Sequence, residues 1–285
     1  MAQNENPLIK YYRNAKLSIA LPSRGKYYAE GVLDLDDEGE LAIYPMTAQD
    51  EITLQNPDAL LTGQAVVDVI KSCVPGVLKP RNLLACDIDV LMIATRVASY
   101  GEEANMEINC VECGESNTYS LSLDTLLSQT ETLDEHYEVV LDNALTVFIK
   151  PGSFEAMVRQ QKAAFENSKL EDAIRTPEMS EEQRIKILSR VFEQMAKLNF
   201  DLINESVSSV VFTQETDGGD EIVTIDNKTH IAEWLQNVDK ATVDKLEEKI
   251  LDVNKVGIAK TVPATCKECD HKWEARIEFN PVNFS

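Results

Sequence analysis

Two C-x-x-C pairs limit what this chain can fold into more than any other feature. Cys110-Val111-Glu112-Cys113 and Cys266-Lys267-Glu268-Cys269 are separated by the 152 residues from 114 to 265. Two residues between thiols let both sulfurs turn toward one metal ion, and four thiolates complete the tetrahedron of a structural zinc site. Cys110, Cys113, Cys266 and Cys269 are therefore candidate ligands for one zinc ion, and iron is the alternative because it also takes four thiolates. A site with four protein ligands keeps no open coordination position, so metal catalysis is not expected. Gly114 gives the first pair the backbone freedom needed after its second cysteine. Other readings stay open: each pair binding separately or with a partner chain, a redox pair, unligated thiols, or His271 substituting as a ligand. A thioredoxin-type pair would open a helix after a strand and occur once.

A compact ribbon separates its pairs by about 15–20 residues. Here one metal would clip the ends of a long insert. Closure entropy grows only logarithmically with loop length, and an insert folds readily when its own ends lie close together. The sequence predicts an N-terminal arm at 1–20, a main domain at 21–121 with 257–285 containing the split ribbon, and an inserted α+β domain at 122–256.

Alternation and capping signals fill in the elements. KLSIAL reads as a strand and LPSRGKYY as a turn. The two alternating runs between Gly31 and Met46 flank DDEG and predict a hairpin. Thr47 starts a helix, Asn56-Pro57 interrupts it, and Leu61, Ala65, Val66, Val69 and Ile70 form the stripe of the next. Asp87 is the expected cap of a nearly all-apolar helix ending at Gly101. Strands are expected on both sides of each cysteine pair, hairpins at 135–150 (turning at Asp142-Asn143) and 207–226 (turning at Asp217-Gly218-Gly219), and helices over 151–206, 231–235 and 242–253. Ser180 caps one helix, on which Ile185, Leu188, Phe192 and Met195 share a face. Cys73 and Cys86 sit among apolar neighbours as core thiols. The predicted class is α+β, helices with antiparallel hairpins and a split four-cysteine ribbon closing over a long insert.

The formal net charge is −22. Phosphate backbones demand clustered Lys and Arg, and both knuckle regions are net acidic, which argues against nucleic-acid binding. A zinc-ribbon nucleic-acid or transcription-associated module is kept as the alternative function. No run approaches the roughly 18 apolar residues of a membrane helix, and the first residues lack the apolar core of a secretory signal, so synthesis in the cytoplasm is expected. The three histidines, His136, His230 and His271, fall in no catalytic pattern. No G-x-S-x-G, P-loop or G-x-G-x-x-G is present. No enzyme activity is expected.

LPSRGKYY (21–28), YPMTAQDEITLQNPDALLTGQAVVDVIKSCVPGV (44–77), the Asp87–Tyr100 helix with ASYGEE, CVECG (110–114) and the ending CKECDHKWEARIEFNPVNF together resemble the T-even-type phage baseplate hub protein family. The resemblance covers about residues 17–125 and 257–285. It implies a non-catalytic structural component of a tail baseplate hub, or a factor needed to assemble it. It also implies other tail proteins as partners, several copies in a symmetric assembly, and residence in the virion after synthesis in the host cytoplasm. The arm then gains a meaning, because an extended terminus can add a strand to a neighbour. Tyr11, Tyr12 and Arg13 are residue types enriched at interfaces and are the candidate contacts.

Overall fold

A computed structural model describes residues 8–141, 145–174, 180–216 and 219–277. They form two compact units. One takes the described residues up to Thr132 together with those from Gly257 onward, and the other is Leu133–Val256.

In the first unit, β1 (Leu17–Ile19) pairs antiparallel with β2 (Leu41–Ile43). The hairpin expected between Gly31 and Met46 does not form. Its turn does: Asp36 Oδ1 accepts the Glu38 and Glu40 backbone N–H groups at 3.1 and 2.7 Å. The flanking runs then diverge, β2 to β1, and Leu33 to a single bridge with Val77. Gly76 makes this possible. Asp34 N–H donates to the Gly76 carbonyl at 2.7 Å, and a Cβ at Gly76 would stand 2.6 Å from the Asp34 oxygen. Alternation fixes which face a run buries; here it does not fix the partner.

Helix α1 (Ala48–Leu54) opens with a capping box in which Thr47 and Asp50 each accept the other's backbone N–H. Asn56 caps α2 (Pro57–Leu61). Gly63, at φ 70°, separates it from α3 (Gln64–Cys73). Leu61 therefore ends α2 instead of starting the α3 stripe, while Ala65, Val66, Val69 and Ile70 are buried as predicted. Cys73 is fully buried and Cys86 only half-buried.

Helix α4 (Ala85–Tyr100) ends at Gly101. Its N-cap is Leu84, which has no capping side chain, and Asp87 lies inside the first turn. The carboxylate points elsewhere. It accepts the Ser23 backbone N–H at 3.1 Å and the Tyr28 hydroxyl, and that hydroxyl accepts the Leu84 N–H at 2.8 Å. Burial raises the Asp87 carboxyl above the ordinary carboxylate range, and the donors from Ser23 and Tyr28 oppose that shift. The LPSRGKYY turn is thus pinned onto the start of α4.

Strands β3 (Glu103–Asn109) and β4 (Ser116–Ser122) form a hairpin, followed by α5 (Leu123–Ser128) capped by Ser122. Leu123 and Leu126 join Val90, Ile93, Ile258 and Ile277 in one core cluster. This segment, assigned to the insert from sequence, packs with the first unit.

The second unit begins with β5 (Tyr137–Val140) and β6 (Thr146–Ile149); the Asp142-Asn143 turn lies outside the described residues. Two long helices follow, α6 (Phe154–Ile174) and α7 (Glu181–Ser206), and they pack on each other. Ser180 caps α7 through a second capping box with Gln183. Then β7 (Val207–Thr216) pairs with β6 and with β8 (Gly219–Ile225), giving an antiparallel sheet of order β5-β6-β7-β8. Of the turn expected there, Asp217 and Gly218 lie outside the described residues. Helices α8 (Lys228–Asn237) and α9 (Lys240–Val253), capped by Asn227 and Asp239, complete the unit. No helix among the described residues is long and apolar enough to cross a membrane.

The chain returns to the first unit with β9 (Thr261–Thr265) and β10 (Lys272–Arg276), an antiparallel hairpin. The mixture of helices and antiparallel hairpins is the predicted α+β class.

Candidate metal centre

Each cysteine pair sits at the tip of a hairpin, and the two tips repeat one backbone design. In the first, Cys110 N–H donates to the Glu115 carbonyl at 2.8 Å and Gly114 N–H to the Cys110 carbonyl at 2.9 Å. In the second, Cys266 N–H donates to the His271 carbonyl at 2.9 Å and Asp270 N–H to the Cys266 carbonyl at 3.1 Å. The residue after the second cysteine is left-handed in both, Gly114 at φ 76° and Asp270 at φ 56°. Glycine enters that region freely, and aspartate is among the few other residues that tolerate it. The need for left-handed backbone was legible at Gly114. At Asp270 only the parallel spacing of the pairs could have shown it.

The two tips bring all four sulfurs together. Every pair of Sγ atoms lies within 4.8 Å; Cys110 is 3.7 Å from Cys269 and Cys113 is 3.6 Å from Cys266. A tetrahedral site with Zn–S bonds of about 2.3 Å has sulfurs about 3.8 Å apart along its edges. The donor set therefore fits a metal ion in kind and in spacing. In each pair the first cysteine is buried and the second exposed, so the cluster has one face toward solvent.

The sulfurs differ electrostatically. The backbone N–H of Cys269 points at Cys266, with those of Glu268 and the Asn117 amide behind it, and they hold that thiol down at about 6. At Cys269 the backbone N–H of His271 acts in the same direction, but desolvation and the neighbouring sulfurs outweigh it and push the thiol up to about 12. One thiolate is thus favoured next to thiols that resist ionising together, as expected when like charges share a small volume. A bound cation removes that conflict.

Strand alternation supplies the support. Ala104, Met106 and Ile108 on β3 and Asn117, Tyr119 and Leu121 on β4 point to the less exposed face; on the other hairpin Trp273 and Ala275 stand opposite Ala264 and Val262. Tyr119 meets Trp273 edge-on at 6.5 Å, and its hydroxyl donates to the Thr265 carbonyl at 2.9 Å. Asn117 is buried at the join between the two tips. Sequence reasoning missed it, although a polar residue in a core-facing slot of β4, four positions past Cys113, was the available signal. His271 stacks on Trp273 at 5.9 Å and is not among the clustered donors.

The remaining candidates are distant in role. Tyr11 and Tyr12 are exposed. Arg13 is engaged by its own chain. Its guanidinium donates to the Ser72 carbonyl and hydroxyl, both at 2.7 Å, and to the Pro45 carbonyl, and it pairs with Asp50 at 3.3 Å.

A family model described as T4 bacteriophage base plate protein matches residues 14–283. The chain belongs to this T4 baseplate family. No curated protein and no solved structure matches the chain. The family match runs through 126–256, outside the segments that carried the resemblance seen in the sequence, so it takes in residues of both units of this baseplate protein. Membership places it among the structural proteins of a phage tail baseplate. The four clustered thiols on paired hairpin tips of this baseplate protein could hold a metal ion.

Proposed function

We propose that this baseplate protein is a non-catalytic component of the hub region, or a factor needed to assemble the hub, with zinc held by Cys110, Cys113, Cys266 and Cys269 as a staple of its first unit. The observation that carries the staple is the convergence of four sulfurs from chain segments 153 or more positions apart, within the spacing of a tetrahedral thiolate site. Bound there, zinc would supply fixed tetrahedral geometry and charge neutralisation. The hub assignment is supported by the segments at 21–28, 44–77, 110–114 and 266–284, which resemble hub proteins in particular.

In the same reading, residues 133–256 are a domain inserted between two halves of a stapled first domain. Several copies act in a symmetric assembly with other tail proteins, after synthesis in the host cytoplasm. Arg13 anchors the arm, and the exposed Tyr11 and Tyr12 form its contact with a neighbour. Metal content by mass spectrometry, with and without chelator, tests the staple beside a thermal melt. The expected result is about one zinc per chain and a lower melting temperature after chelation. Absence of metal in protein purified under reducing conditions would remove the staple. Failure of tagged chain to co-purify with tail proteins from infected cells would remove the hub role.

A further inference from the structure

Four sulfurs can be joined in three ways, and the cluster distinguishes them. Its short contacts run across the tips: Cys113 Sγ lies 3.6 Å from Cys266 Sγ, and Cys110 Sγ lies 3.7 Å from Cys269 Sγ. A disulfide has an S–S bond of about 2.05 Å, so closing either gap asks each sulfur to move by about 0.8 Å. The two contacts share no atom and together use every thiol of the cluster. Each also joins a buried cysteine to an exposed one, Cys266 to Cys113 and Cys110 to Cys269. An oxidant in solution therefore reaches one partner of each pair directly.

Contacts in which no sulfur takes part hold these gaps short. The Lys267 backbone N–H donates to Asn117 Oδ1 and the Tyr119 hydroxyl to the Thr265 carbonyl, both at 2.9 Å and both from one hairpin to the other. Within each tip, the N–H groups of Cys110, Gly114, Cys266 and Asp270 donate to backbone carbonyls. The sulfurs are thus kept near reacting distance by the frame around them, and bond formation between them is intramolecular.

We propose that the cluster is also an oxidation site: peroxide converts its four thiolates into two disulfides, Cys113–Cys266 and Cys110–Cys269, which tie the same two hairpin tips that zinc would tie. In each pair the thiolate of the exposed cysteine attacks one peroxide oxygen. The O–O bond breaks, hydroxide leaves, and the sulfur becomes a sulfenic acid. The thiolate of the buried partner attacks that sulfur, forms the S–S bond and expels a second hydroxide. Two sulfurs give up one electron each, and one peroxide accepts both. An ion held by the four thiolates loses its ligands and departs unchanged. A link within a pair, Cys110 to Cys113 or Cys266 to Cys269, would leave the tips untied, whereas the cross pairs join segments 153 and 159 positions apart. Thiols persist in a reducing cytoplasm and disulfides outside it, the two settings that a tail baseplate meets in turn. This rests on the proposed staple only for the ion that is displaced.

The test starts from the full chain, purified under reducing conditions with zinc supplied and then freed of reductant. Hydrogen peroxide is added, remaining thiols are blocked with N-ethylmaleimide in denaturant, and the links are mapped by mass spectrometry. Glu112 and Glu268 stand between the cysteines of each pair, so cleavage after glutamate separates all four. Fragments linked through Cys113–Cys266 and Cys110–Cys269 are expected, with maleimide only on Cys73 and Cys86. Zinc should reach a chromogenic chelator in step with the links, and the oxidised chain should melt above the reduced, chelated chain. Links within the pairs, sulfinic acids in place of disulfides, or an oxidised chain that melts as low as the reduced, chelated one would overturn the proposal. So would zinc retained through the treatment with no link formed, an outcome that leaves the staple standing. Cross links formed in a chain that carries no zinc would remove the staple and support the oxidation site.

Discussion

The Oδ1 atom of Asn117 accepts the backbone N–H of Lys267 at 2.9 Å, joining β4 of the first hairpin to the tip of the second. The other end of the amide donates to the Glu115 carbonyl at 2.9 Å and reaches the Cys266 sulfur at 3.6 Å. One side chain that is 2% exposed thus serves both tips. Asn117→Ala leaves the Lys267 N–H without this acceptor and should cost about 1–3 kcal/mol. Asn117→Asp should cost more, because it keeps the acceptor but sets a carboxylate against the sulfur cluster. Urea denaturation of metal-saturated protein measures both, and an Asp variant as stable as wild type would refute this role.

Loss of any one of the four clustered cysteines should be felt well beyond the knuckles. The hairpins continue into the cluster of Val90, Ile93, Leu123, Leu126, Ile258 and Ile277, so freeing the tips also loosens α4 and α5. Cys110→Ser and Cys266→Ser should each destabilise the first unit by about 4–5 kcal/mol, the scale seen when a structural metal site is lost. Hydrogen exchange should accelerate through β3, β4, α5, β9 and β10, and chelation of wild type should reproduce the pattern. Protection lost only at 110–114 and 266–270 would mean that the cluster is a local ornament.

The cysteine pairs, the helix starts at Thr47 and Ser180, the interruption at Asn56-Pro57 and the second-unit hairpins were legible because each depends on neighbours in sequence. The failures share one cause. Leu33 and Leu41 carry the right alternation for a hairpin, but their partners are Val77 and Ile19, and only the close approach at Gly76 decides between the pairings. Asp87 has the sequence position of a cap, yet a turn some 60 residues earlier claims its carboxylate. Asn117 belongs to the site through a contact 150 positions away. Local chemistry is written locally, and long-range polar contacts leave only a polar residue in an apolar slot as their trace.

The Tyr28 hydroxyl links Asp87 and the Leu84 N–H, so Tyr28→Phe removes a donor and an acceptor at one buried point. The expected cost is about 2–4 kcal/mol at neutral pH. Its pH dependence has a definite sign. Burial raises the Asp87 carboxyl in the folded state, so the folded chain holds a proton that the unfolded chain releases, and stability from this group falls as pH climbs above about 4. The Tyr28 bond opposes that shift. Its removal raises the carboxyl further, and the difference between wild type and Tyr28→Phe should widen from pH 4 to pH 7. Denaturation curves across that range check it; a flat or narrowing difference would count against a carboxylate held by Tyr28.

Gly114 and Gly76 are required for opposite reasons, and a pair of substitutions separates them. At Gly114 the backbone is left-handed and a Cβ would meet nothing within 4 Å. Gly114→Ala should therefore cost about 1 kcal/mol from conformation alone, and Gly114→Asn less, since asparagine tolerates that region. Asp270 at the equivalent position of the second tip already shows that an Asx residue can serve. At Gly76 the obstacle is the Asp34 carbonyl oxygen at 2.6 Å and the Leu41 side chain at 2.7 Å. A backbone atom cannot step aside without breaking the Asp34–Gly76 hydrogen bond, so Gly76→Ala and Gly76→Asn should both cost about 1–3 kcal/mol or more. Thermal melts of the four variants decide it: asparagine should rescue the alanine loss at position 114 and give no rescue at position 76.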